Sequence, residues 1–117
     1  LDKDSADTEE AMAFKVHDVK QYNYSYDARA GGPGRLQLWS DKGKIAEIGF
    51  VDDTAAVPPP TFPPDLSSAS AYFKRSAMAG LIDMLRNEGP VRVTINDQAP
   101  GFVFIHTGAE PVGEGEK

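Results

Sequence analysis

Along residues 14–26 apolar side chains recur at every second position. Phe14, Val16, Tyr22, Tyr24 and Tyr26 share one parity, and Val19 falls on the other. Period two is the signature of a strand with one face against a core. One long strand with a bulge or bend near His17 to Lys20 accounts for the slip in parity. Ala30-Gly31-Gly32-Pro33-Gly34 then interrupts the pattern.

Two further alternating runs, Arg35 to Ser40 and Lys44 to Val51, flank Asp41-Lys42-Gly43 and predict a hairpin. Leu36 and Leu38 share one face of the first strand; Ala46, Ile48 and Phe50 share one face of the second. Residues 57–64 hold five of the nine prolines. Proline lacks a backbone donor and fixes φ, so this stretch predicts a stiff, extended connection rather than helix or central strand.

The next segment reads in two ways. Residues 67–88 form either one long helix or a short strand, Ser70 to Lys74, followed by a helix from about Ser76. Tyr72 and Phe73 favour a strand, and Ser76 suits an N-cap, so the second reading is preferred. Met78, Leu81, Ile82 and Leu85 follow at helical spacing, and Gly89-Pro90 supplies a stop. Val91 to Ile95 and Phe102 to His106 alternate on either side of a turn, predicting a second hairpin.

These elements describe an α+β domain over residues 12–108. It comprises one mostly antiparallel sheet of about six strands, with one helix, about residues 76–88, packed on one face. Residues 1–11 are expected to be a disordered acidic lead-in, and residues 109–117 a flexible acidic tail. The chain of 117 residues is long enough to bury a core without cross-links, and it contains no cysteine.

Charge changes the picture only at the ends. The net charge is −6, yet residues 11–109 carry ten acids and ten bases. A neutral body lacks the basic footprint of a nucleic-acid binder and the electrostatic hold needed on anionic lipid. No apolar run reaches the length of about 18 residues that a membrane helix needs. Cytoplasmic residence is the default expectation, and a chain beginning at Leu1 is compatible with a removed leader.

Candidate chemistry is sparse. His17 and His106 lie on predicted strands and could meet across a sheet near Asp18, but neither has a partner at metal-ligand spacing. Asp52-Asp53 at a strand end reads as turn chemistry and lacks the glycine and alternating oxygens of a calcium loop. The glycines before Arg35 precede a strand, not the helix N-terminus of a phosphate cradle. No metal or cofactor is expected, and no catalytic residue is assigned.

Binding features are clearer. Tyr22, Tyr24 and Tyr26 project from one side of a strand, where flat amphipathic rings stack on ligands or fill an interface. Trp39 and Phe62 join them as candidate binding residues; Phe62 sits in Pro60-Thr61-Phe62-Pro63, a PxxP spacing. Several strands are apolar on both parities: Val19 against Tyr22, Trp39 against Leu38, Val103 and Ile105 against Phe102 and Phe104. One short helix cannot cover both faces of such a sheet. A second layer from the same chain or from a partner is therefore expected. The leading expectation is a non-catalytic binding or assembly domain, a homodimer through its sheet or a complex with another protein. The alternatives are a small enzyme or ligand carrier built on the tyrosine strand with His17 or His106, and an acidic inhibitor-type module.

Overall fold

The structure, a computed structural model, describes residues 14–98 and 101–108. The expected acidic lead-in and tail lie outside the described residues. Seven strands, one 3-10 turn and one helix follow in order: β1 (Phe14–Asp18), β2 (Gln21–Asp27), β3 (Gly32–Ser40), β4 (Gly43–Val51), β5 (Ala69–Lys74), the 3-10 turn (Arg75–Ala77), α1 (Met78–Asn87), β6 (Val91–Asn96) and β7 (Phe102–Thr107). The class is α+β, but the strands form two sheets rather than one. The first is four-stranded, in the order β2-β3-β4-β5; the second is three-stranded, in the order β1-β6-β7.

The single long strand expected over residues 14–26 is two strands that belong to different sheets. The switch takes place between two adjacent amides. Val19 N–H donates to Val91 O at 2.9 Å in the smaller sheet, and Lys20 N–H donates to Trp39 O at 2.7 Å in the larger. The parity slip at Val19 marks this corner, not a bulge. All pairings are antiparallel except β4 with β5, which run parallel.

Side chains of both sheets meet in one core. Leu36, Leu38 and Ile48 of the larger sheet cluster with Val93 and Ile95 of the smaller, all fully buried. The missing second layer thus comes largely from the chain itself. A bulge refines this packing: between Leu38 and Trp39 of β3 the register on β4 advances from Ala46 to Lys44, leaving Ile45 as the extra residue. The kink turns two consecutive residues inward, so Ile45 and Ala46 are both buried.

The helix is shorter than expected. It begins at Met78, and Ser76 is not its N-cap; Ser76 lies in the 3-10 turn, where its N–H donates to Asp53 Oδ1 at 2.9 Å. The expected apolar stripe faces the protein, with Met78 and Leu81 buried and Ile82 and Leu85 half-buried against the core.

The proline-rich crossover joins the parallel pair β4 and β5 and closes an edge. Thr61 exchanges two backbone hydrogen bonds with Ser70, at 2.9 and 2.8 Å, on the free side of β5. One bridge followed by prolines covers that edge without extending the sheet. The crossover is pinned by Phe62 and Leu66, which pack against the core. Leu66 has φ of 57°, a left-handed conformation that costs a branched side chain about 1 kcal/mol or more. Burial of its side chain outweighs that cost, and its carbonyl accepts from His17 Nε2–H at 2.9 Å. Leu66→Ala is expected to lower unfolding stability by about 2–4 kcal/mol in urea titrations. A loss below about 1 kcal/mol would show that the crossover does not anchor the core.

Candidate functional site

The registers divide each sheet into two faces with different chemistry. In the larger sheet the rows Tyr22–Leu38–Ala46–Ala69 and Tyr24–Leu36–Ile48–Ala71 point inward. The opposite rows, Asn23–Gln37–Glu47–Ser70 and Arg35–Gly49–Tyr72, are mostly polar. Arg35 and Lys44 both pair with Glu47 there, at 2.7 and 2.9 Å. Tyr72 lies across Gly49 so closely that a Cβ on that glycine would stand 2.7 Å from its ring. Apolarity on both faces, expected from Trp39 against Leu38, is limited in this sheet to Trp39, Val51 and Tyr72 on the outer side.

The smaller sheet differs. Its inner row His17–Val93–Ile105 faces the core, and its outer rows are Phe14–Asn96–Phe102, Val16–Thr94–Phe104 and Asp18–Arg92–His106. The apolar members sit on the two edge strands and are open to solvent: Phe14 is 50%, Val16 48%, Phe102 36% and Phe104 56% exposed. The Phe102 and Phe104 rings lie 4.5 Å apart, centroid to centroid. One end of the face is closed by the ion pair of Arg92 Nε with Asp18 at 3.0 Å. Four large apolar side chains on one solvent-facing side form a patch of the kind that marks interaction surfaces. The sequence signal for this patch is the two-sided apolarity of Phe102 to Ile105.

The predicted site residues do not converge. Tyr22, Tyr24 and Tyr26 do share the inner face of β2. Tyr22 and Tyr24 stack at 6.4 Å, and Tyr24 meets Tyr26 edge-on at 6.3 Å. Tyr22 packs against the core, whereas Tyr24 and Tyr26 line a groove of about 510 Å³ against Met78 and Ile82 of α1. Trp39 is on the opposite face of that sheet, and Phe62 packs against the core beside Gly101. They are held apart because Trp39 has the opposite parity to Leu38, while Phe62 is drawn inward by burial.

The ionisable candidates are likewise dispersed and engaged. β6 runs between His17 and His106, which face opposite sides of the smaller sheet. His106 Nε2 is 2.8 Å from Thr94 Oγ1. Asp52 accepts from the Thr54 N–H and hydroxyl, and Asp53 from the Ser76 N–H, so the pair fixes a strand end. Among the described residues no group of His, Asp and Glu is placed to hold a metal ion. No described helix is long and apolar enough to cross a membrane. No protein-family model matches the chain, and no similar curated protein or solved structure was found.

Several carboxyls are held below their ordinary range. Glu47 is lowered by its hydrogen bond from Lys44, Asp52 by the Thr54 N–H and hydroxyl, and Asp65 by the Ser67 hydroxyl and N–H. A folded-state pKa below the unfolded one stabilises the fold above the unfolded value, and that contribution disappears as pH falls through the folded value. The urea midpoint is therefore expected to stay level from neutral pH down to about pH 5 and to fall below about pH 4. A midpoint that rises on acidification to about pH 3 would contradict these assignments.

Proposed function

We propose that this chain is a non-catalytic assembly module that self-associates through the outer face of its three-stranded sheet. The observation that supports this reading is the contrast between the two outer faces. The outer face of the larger sheet is mostly polar, with Tyr72 43% exposed on it, while the smaller sheet leaves Phe14, Val16, Phe102 and Phe104 open on one side. Water around four such side chains is released when a matching apolar surface covers them.

A second copy meets the requirements of that surface. The charged pair on these rows, Asp18 with Arg92, is already neutralised internally, so the face itself offers a second copy no uncompensated ion pair, and the net charge of −6 on each chain makes association stronger at raised ionic strength. The apolar residues on both edges frame Thr94 and Asn96, so a two-fold arrangement sets edge against edge. Strands of about six residues, about 4.8 Å apart, give a flat footprint of roughly 300 Å². That whole face, its polar residues included, matches only the lower end of the roughly 300–600 Å² of the largest apolar patch on an ordinary monomer, and it falls short of the roughly 800 Å² per partner of a stable complex. The association is accordingly weak and concentration-dependent.

The groove beside Tyr24 and Tyr26 supports a second reading, a carrier of a small amphipathic ligand. It gains no support as an enzyme, because neither histidine lines that groove.

Sedimentation equilibrium tests the assembly reading. The weight-average mass is expected to rise from 12.6 kDa towards twice that value with concentration. Phe104→Glu is expected to hold the mass at the monomer value while leaving the thermal midpoint unchanged, because Phe104 is largely exposed. A wild-type chain that stays monomeric throughout, or a Phe104→Glu chain that still dimerises, would refute it.

A further inference from the structure

We propose that a second, separate site binds the phosphate group of a small phosphorylated ligand. The site is a depression of about 540 Å³ between β1, the β3–β4 turn and the end of the proline-rich crossover. Lys15 and His17 reach it from β1, Lys42 from the turn, and Ser67 and Ser68 from the crossover; among the described residues none that lines it is acidic. Lys44 also contributes to the wall. Three of the ten bases in the neutral body therefore stand around one concavity.

The charges that remain available decide what fits. The Lys44 ammonium is engaged by Glu47 at 2.9 Å. Lys15 and Lys42 have no ion-pair partner within 4 Å among the described residues. Asp65 feels the charge of Lys15, but its carboxylate is turned to Ser67 and accepts from the Ser67 N–H at 3.0 Å. Two lysines without an ion pair and Ser68, all lining one depression, suit a compact dianion better than a carboxylate or an uncharged sugar. The volume leaves room for a small hydroxylated body attached to the phosphate. An extended nucleic acid is a poor match, because the basic residues form one cluster and not a stripe.

The site shares no residue with the apolar face, so the two readings stand or fall separately. The test is a titration of ¹⁵N-labelled protein at constant ionic strength with inorganic phosphate, ribose 5-phosphate, glycerol and a short single-stranded oligonucleotide. Phosphate and ribose 5-phosphate are expected to shift the amides of Gly43, Ser67 and Ser68 saturably, and glycerol to leave them unmoved. Lys15→Gln combined with Lys42→Gln is expected to weaken ribose 5-phosphate binding by about tenfold or more, through loss of charge-assisted hydrogen bonds. Both lysines are exposed, so the variant keeps its fold, which its unchanged remaining spectrum verifies. Absence of saturable shifts with either phosphate compound would overturn the proposal. So would equal affinity in the double variant, or binding of the oligonucleotide alone.

Discussion

The fold depends on one contact: the inner rows of two sheets, from distant parts of one chain, bury each other. Leu36, Leu38 and Ile48 have no exposed surface, and neither do Val93 and Ile95 from the other sheet. Burying a side chain of this kind is worth about 1.5–3 kcal/mol, so the two rows supply the main drive for closing the domain. Everything else answers to that contact. The corner at Val19 and Lys20 lets one chain segment serve both sheets, and the Ile45 bulge adds an apolar residue to the core. Leu66 accepts an unfavourable φ to fill its flank.

Closing the core in this way also determines what is left outside. A strand has two faces, and on β7 of the smaller sheet both are apolar, while β1 turns Phe14 and Val16 to the same outer side and Lys15 and His17 inward. Only one can face Leu36 and Leu38. The other, with Phe14, Val16, Phe102 and Phe104, is left in water. The larger sheet has no such conflict, since Gln37, Glu47 and Ser70 occupy its outer row. The surplus apolar surface is thus a consequence of sequence pattern on β1 and β7, and the proposed assembly role follows from its location.

Much of the local structure was legible in the residues. Period two located both hairpins, and the spacing of Met78, Leu81, Ile82 and Leu85 located the helix face. The partition into two sheets was not legible, because alternation reports that a strand has faces without reporting which strand lies beside it. A slip at Val19 fits a bulge or a corner equally well; the amides of Val19 and Lys20 decide it only in three dimensions. The same limit applies to the sites. Tyr22, Tyr24 and Tyr26 were identified as a row, but whether that row faced core or solvent depended on the second sheet. Lys15 and Lys42 are remote in sequence, and only the folded chain brings β1 and the β3–β4 turn to the wall of one depression.

The claim that the smaller sheet's outer face meets its own copy is tested most directly by isotope-filtered NOE spectroscopy on a mixture of labelled and unlabelled chains. Intermolecular signals are expected among the side chains of Phe14, Val16, Phe102 and Phe104. Intermolecular signals confined to Trp39 and Tyr72, on the outer face of the larger sheet, would contradict it.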